Sequence, residues 1–485
     1  MPFWRRQKKD SRTGLGEEAY GLKREIGVWG SFSMGYADVG ADVYVALGIL
    51  ALYAHAAAPI ALLIASITYI TTGLTYAELS TRYPVAGGGQ FYATKAFGPL
   101  HGFLAGWGLM LDYTIDVALF ALATSGYLGA MAQVFLHTDV LLRPPWYSLM
   151  AVAMIVCLMF LNLVGIRYSS KFNELVVAVN IVTFGVIIAM GMYLAVALGH
   201  VGAWAAQVEP QFLTSDSFLY SLTLAMASFI GIESISQAAE ETKEPNRVIP
   251  KSTKLSIVAV LTAALSLSFL SVSIIPWQVT AGSSQSPLVT LSSALPFVGA
   301  GLSLWVSVTG FLMSAVSTNT GIIGVSRVTF SMGRLNLTPA VFSKIHRRFR
   351  TPYITIIIFP AIAAAVLLVN SFLPGEVLLN LVASLYNFGA LISYIYVNLS
   401  GVALRFKEDN GSASYKAPLN LSIPYKGKLV KVSLISVIGL ASCATMWFIL
   451  IASHPLGRVV GFAWFIVGAI MYVALRKGKG LKLLG

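Results

Sequence analysis

Gly35-Tyr36-Ala37-Asp38-Val39-Gly40-Ala41-Asp42 and Ser228-Phe229-Ile230-Gly231-Ile232-Glu233-Ser234 each set glycine beside carboxylates in a run otherwise apolar enough to cross a bilayer. Glycine weakens a helix, and a carboxylate at membrane depth costs about 3 kcal/mol on insertion scales. Both stretches therefore predict an unwound turn, because non-helical backbone at that depth is tolerated where it lines a cavity or is buried in protein. The alternative, glycines that let helices approach closely, accounts for the glycines but not for the acids beside them.

The sequence around these stretches is that of a polytopic helical membrane protein. Of its 485 residues, 56% are hydrophobic and 11% charged, and the mean hydropathy is +0.76, which leaves too little polar surface for a soluble globule. Apolar runs of about 20 residues predict twelve spans, at 28–53, 58–80, 100–135, 147–166, 173–198, 217–239, 253–276, 297–332, 353–372, 376–402, 432–452 and 456–475. The two glycine-acid stretches fall in the first and sixth of these, as a five-plus-five inverted repeat requires. Interrupted segments at matching positions of two halves point to a transporter binding site. The expected organisation is a cytosolic tail (1–27), a first repeat (28–198), a second repeat (217–404), a cytosolic linker (405–430), two further spans (431–476) and a cytosolic tail (477–485).

The net charge of +13 does not imply nucleic acid. With the N-terminus inside, 31 of the 33 Lys and Arg residues fall in the tails and in the connections on that same side, and only Arg143 and Arg458 fall outside. This asymmetry orients a membrane protein and suits contact with anionic lipid. The charged first 27 residues lack a short apolar run with a cleavage site and read as a tail, not a signal peptide. Cys157 and Cys443 lie in apolar runs, and the six histidines are scattered, so no disulfide framework or metal centre is indicated. A phosphate-binding Gly-x-x-x-x-Gly-Lys-Ser/Thr loop is missing, which argues against pumping driven by ATP within this chain.

Asp112 and Asp116, four residues apart in the third span, share one helical face. Two close carboxylates in low dielectric do not both ionise readily, which suits a proton carrier; the plainer reading is that each accepts a hydrogen bond from a neighbouring helix. Ser314, Ser317 and Thr318 are candidates for a cation site against the first span, although such hydroxyls commonly bond their own helix. Glu78 and Arg82, with Glu240, Glu241 and Lys243, read as gate pairs or solvated helix ends.

Phe229-Ile-Gly-Ile-Glu-Ser followed by Ala239-Glu-Glu-Thr-Lys-Glu-Pro-Asn-Arg-Val-Ile-Pro250 resembles the sixth-span signature of the amino acid-polyamine-organocation permeases. Tyr76-Ala-Glu-Leu-Ser-Thr-Arg-Tyr-Pro-Val-Ala-Gly-Gly-Gly89, Gly102-Phe-Leu-Ala-Gly-Trp107 and Ser326-Arg-Val-Thr-Phe-Ser-Met-Gly-Arg334 agree with that family. The resemblance implies an all-α LeuT-type fold and secondary active transport by alternating access, with the solute held between broken first and sixth helices and no cofactor. Gly40-Ala41-Asp42-Val43-Tyr44 then occupies the family's Gly-Ser/Ala-Gly-Ile-Phe turn, whose N–H groups hold the substrate carboxylate in relatives. Asp42 replaces its second glycine. Phe172-Asn-Glu-Leu-Val-Val-Ala-Val-Asn180 resembles the fifth-span segment in which some proton-coupled relatives carry a lysine, here Asn180. Ala227 stands where arginine/agmatine exchangers have tryptophan, so the pocket lacks that aromatic wall.

Asp38, Gly40, Ala41, Asp42, Tyr44, Asp116, Ala227, Ser228, Phe229 and Gly231 are thus the expected solute-binding residues, with Asp112, Asn180, Glu233, Ser314 and Ser317 in ion coupling or gating. Phe229 is read as an aromatic lid or as packing, and Glu233 as a gating acid or a helix-to-helix hydrogen bond. The expected solute is an amino acid or related amine, with a proton as the coupling ion and Na+ or K+ as alternatives. Tyr36-x-Asp38-x-Gly40 with Tyr44-Val45 is also similar to the first span of bacterial potassium uptake permeases, which gives an alternative inorganic-cation solute with Asp38 as ligand. A transporter-like nutrient sensor is the reading from another class. The charge pattern places both termini in the cytosol. In a background without Cys157, an impermeant thiol reagent applied to intact cells should label Val140→Cys and spare Asp10→Cys and Gly480→Cys; external labelling of either terminus contradicts the orientation.

Overall fold

The computed structural model describes residues 24–85, 87–164, 169–295, 299–349, 351–407 and 414–483. Most of the expected N-terminal tail (1–23), part of the linker (408–413) and the last two residues lie outside the described residues.

The chain is mostly helical. In order, it forms α1 (Val28–Ala54), α2 (Ala58–Arg82), α3 (Gly89–Phe97), α4 (Pro99–Leu136), α5 (Trp146–Val164), α6 (Ser169–Ala197), α7 (His200–Gln207), α8 (Asp216–Ala227) and α9 (Glu233–Gln237). It continues through α10 (Pro245–Ser273), α11 (Trp277–Gly282), α12 (Pro287–Ser293), α13 (Gly299–Arg334), α14 (Tyr353–Val369) and α15 (Gly375–Lys407) to the strands β1 (Asn420–Tyr425) and β2 (Lys428–Ser433), then α16 (Leu434–Ser453) and α17 (Pro455–Gly478). Among the described residues, nine stretches are long and apolar enough to cross a membrane, one of them the 55-residue Val28–Arg82 stretch that contains both α1 and α2. The remaining two predicted intervals fall on the interrupted α8–α9 pair and on the 17-residue α14. Over the described residues, every predicted interval therefore falls on helix, interrupted only in the sixth.

α1 lies at the centre and packs against α6, α8, α10, α11 and α13. It is buried along almost its whole length. It is also continuous, which corrects the unwound turn expected at 35–42. The glycines there serve close approach instead. A Cβ on Gly35 would come within 2.5 Å of the Ile235 side chain, and one on Gly40 would meet the Tyr36 ring at 2.6 Å and Met313 at 3.1 Å. In the sixth interval the break is present: α8 stops at Ala227, α9 starts at Glu233, and Gly231 between them adopts φ +123°. That left-handed conformation is one that glycine takes freely and other residues do not.

The expected linker holds a β-hairpin that hydropathy did not reveal. β1 and β2 pair antiparallel from Asn420 opposite Ser433 to Tyr425 opposite Lys428. Lys426 and Gly427 both have positive φ, as a two-residue hairpin turn of the right twist requires. Arg405, at the end of α15, anchors this hairpin to α2. Its Nε donates to Glu78 Oε1 at 2.8 Å, its Nη2 to Glu78 Oε2, and its Nη1 to the Lys431 carbonyl at 2.9 Å and to Asn420 Oδ1. Glu78 thus pairs within the protein and is not a solvated end, while Glu241 pairs with Arg327 on α13 at 3.0 Å.

Breaking a buried ion pair from one side typically costs about 3–5 kcal/mol, because the other charge is left without compensation. Arg405→Met alone should lower the thermal midpoint of the purified protein sharply, and Glu78→Gln combined with Arg405→Met should recover part of the loss. A double variant no more stable than the single one contradicts the pairing as the source of the effect.

Candidate functional site

Five carboxyl groups converge around the middle of α1, and each is at most 1% exposed: Asp38, Asp42, Asp112, Asp116 and Glu233. They lie close enough to act on one another electrostatically. An uncompensated buried charge is costly, so the partners of each acid decide what it can do.

Two are held. Asp38 accepts hydrogen bonds from Ser234 Oγ on α9 at 2.9 Å and from Ser317 Oγ on α13 at 3.2 Å, so one carboxylate joins three elements. Gly231 makes this possible, since a Cβ there would come within 2.5 Å of Asp38 Cβ. Glu233 accepts from Tyr394 Oη on α15 at 2.6 Å and from the Gly231 N–H at 3.2 Å, which makes it the helix-to-helix tie of the two readings. Its other oxygen is unpartnered.

Three are not. Among the described residues, both oxygens of Asp112, both of Asp116 and Oδ2 of Asp42 make no hydrogen bond. Asp116 lies against α13 at Gly321, where an added Cβ would fall 2.1 Å from Oδ2, and the Tyr386 hydroxyl of α15 approaches it. The plainer reading, an acceptor for a neighbouring helix, does not describe Asp112, neither of whose oxygens makes a hydrogen bond among the described residues.

Asp42 opens onto a narrow cavity with room for about one water, lined otherwise by Val45, Ala46, Ile49, Leu119, Leu224, Ala227 and Ala383. Of the residues expected at the solute site, Asp42 and Ala227 line it. The others are placed elsewhere. Phe229 is fully buried and stacks on Tyr69 of α2, ring centroids 5.3 Å apart, so it packs and is not a lid over this cavity. Tyr44 donates to Thr309 at 3.3 Å and accepts from Asn180 Nδ2 at 2.7 Å, and Tyr36 donates to Asn180 Oδ1 at 3.0 Å. Asn180 thus pins two tyrosines of α1 to α6. Gly40 and Ala41 lie in the helix beside these contacts, Ser228 and Ser314 are buried with unpartnered hydroxyls, and Thr318 bonds the Ser314 carbonyl in its own helix.

Sequence reasoning missed Ser234 and Tyr394, which hold two of the acids, and most of the cavity wall. One signal was available: Val45, Ala46 and Ile49 follow Asp42 at three, four and seven residues, a single stripe of α1. Past its apolar end, Asn380 of α15 donates to Tyr53 Oη at 2.9 Å and to Tyr220 Oη at 2.7 Å, while Tyr220 donates back to Asn380 Oδ1 at 3.0 Å. This polar plug joins α1, α8 and α15.

Residues 26–475 match a family model described as amino acid permease. The chain is 25% identical to the branched-chain amino acid permease BcaP of Bacillus subtilis (strain 168), over 93% of this chain and 92% of that protein. It is 28% identical to the low-affinity putrescine importer PlaP of Escherichia coli (strain K12), over 86% of each chain. It is also 25% identical to the methylthioribose transporter of Bacillus subtilis (strain 168), over 90% of this chain and 89% of that one.

The site depends on the bare backbone at Gly231. Gly231→Ala adds backbone strain at φ +123° and a clash with Asp38, and should destabilise the protein by about 1–3 kcal/mol. Gly185→Ala in α6, with nothing within 4 Å of the added methyl, is the control and should keep or slightly raise stability. Equal thermal midpoints for the two variants contradict the close approach of α1 to the break.

Proposed function

The chain belongs to the amino acid permease family, and from that premise we propose that it is a secondary active transporter working by ion-coupled alternating access, with an amine-bearing solute preferred over an acidic one. As a member of that family it is a multi-pass membrane transporter for amino acids or related amines, not an enzyme. The proposed architecture is LeuT-type, with twelve crossings of the cell membrane, repeats at 28–198 and 217–404, and both termini cytosolic. The segregation of basic residues supports that orientation and a surface facing anionic lipid.

The observation that carries the preference for an amine is Asp42. In the resemblance, a broken first helix offers free N–H groups to a substrate carboxylate; here α1 is unbroken, so those groups are spent within the helix. The cavity is lined instead by Asp42, whose Oδ2 makes no hydrogen bond among the described residues. Ionised, as an ammonium beside it favours, Asp42 attracts an amine and repels a carboxylate. Among the relatives, a putrescine importer and a cationic amino acid transporter carry amine-bearing solutes by name, which agrees with this preference.

Proton coupling is the reading that best fits Asp112 and Asp116. Buried without partners, they are groups that a proton neutralises at least cost. The lysine of some proton-coupled relatives has no part in it, since Asn180 occupies that position and is engaged with Tyr36 and Tyr44. An inorganic cation as the solute has less support, because both Asp38 oxygens are already taken by Ser234 and Ser317. The flexible element of the cycle is the α8–α9 break, which Asp38 and Glu233 tie to α1, α13 and α15.

Uptake and exchange in proteoliposomes test both parts. Asp42→Asn should weaken a cationic solute by at least a hundredfold, the scale of about 3–5 kcal/mol for one lost partner of a buried charge pair. Asp116→Asn should abolish stimulation of uptake by an inward proton gradient while retaining exchange. Unaltered affinity in the first variant removes Asp42 from the site, and an unaltered pH profile in both Asp116→Asn and Glu233→Gln removes the acids from coupling.

A further inference from the structure

Resting on the amine reading of this same site, we infer that the preferred solute is a monoamine with an aliphatic body, its ammonium on Asp42 and its chain along the α1 stripe. The cavity is chemically one-ended. Among the described residues Asp42 is the one ionisable residue that lines it, and its buried Oδ2 makes no hydrogen bond. From Asp42 to Ile49 the stripe rises about 10 Å at 1.5 Å per residue. Every other wall residue along it is aliphatic, contributed by α1, by Leu119 of α4, by Leu224 and Ala227 of α8, and by Ala383 of α15.

A second charge on the solute finds no counterpart at the far end. About one turn further along α1, α8 and α15, the polar groups of Tyr53, Tyr220 and Asn380 hydrogen-bond one another. A second ammonium would lie against aliphatic carbon, and so would a carboxylate. The other carboxyls lie toward the opposite side: Asp112, Asp116 and Leu119 follow at four and seven residues along α4, so this row of acids leads away from the apolar end. They serve the coupled ion in the proposed cycle. In this closed state the space holds about one water, so entry requires α8 and α15 to part from α1; the small side chains of Ala46, Ala227 and Ala383 leave a smooth wall when they do.

Three compounds of one length isolate the far end: hexylamine, 1,6-diaminohexane and 6-aminohexanoic acid share an amine and a carbon chain, and differ in ending on methyl, ammonium or carboxylate. Binding of each to the purified full chain in nanodiscs is measured by calorimetry, with Asp42→Asn as the control for partition into lipid. Hexylamine should bind about tenfold or more tighter than either of the others, and its Asp42-dependent binding should vanish in the variant. If the diamine or the amino acid binds as tightly as hexylamine and still needs Asp42, the monoamine inference is overturned while the amine reading stands. If none of the three binds in an Asp42-dependent way, the inference is overturned; if in addition an α-amino acid binds equally to wild type and Asp42→Asn, the amine reading of the site fails with it.

Discussion

A carboxylate taken from water into an apolar interior must be paired, hydrogen-bonded or neutralised, and around α1 this chain does so unequally. Asp38 accepts from hydroxyls of α9 and α13, and one oxygen of Glu233 accepts from a tyrosine of α15, so these two acids join helices. Among the described residues, neither oxygen of Asp112 or Asp116 and not Oδ2 of Asp42 makes a hydrogen bond. The same residue type therefore does two jobs a few ångströms apart. Acids with partners build the site, and acids without them are left to meet a proton or a solute.

Backbone approach makes this division possible. Gly231 lets the α8–α9 break come against Asp38, Gly35 accommodates Ile235 from α9, and Gly321 receives Asp116. Each contact would be closed by a single methyl group. The Asn180 network then fixes α1 from the other side through Tyr36 and Tyr44. A helix gripped in this way can stay wound through a segment of low intrinsic propensity, because tertiary contacts outweigh the roughly 1 kcal/mol that each glycine concedes.

That balance also explains what could and could not be read from residues alone. Helix positions followed from hydropathy, and the interruption near Gly231 followed from glycine beside an acid. The identical argument failed at 35–42, because glycine at membrane depth serves either an unwound turn or a close contact, and only the position of Ile235 and Met313 distinguishes them. Asp42 was legible as a departure from the family pattern, but its place on the cavity wall depends on α4, α8 and α15, whose residues are distant in sequence. The Glu78–Arg405 pair joins residues 327 positions apart, and no local pattern announces it. The hairpin at 420–433 escaped notice because β1 is exposed along its whole length and the buried alternation of β2 is short, confined to Val430, Lys431 and Val432.

In this account the loss of a broken first helix and the gain of an acid in it are one change: the site exchanges N–H donors for a carboxylate acceptor, and its selectivity follows. The most direct measurement is an experimental structure of the protein with a transported amine bound. The account predicts the solute nitrogen at hydrogen-bonding distance from the Asp42 carboxylate, with α1 helical through residues 35–44. A solute carboxylate seated on free N–H groups of an unwound α1, with Asp42 turned away, would contradict it.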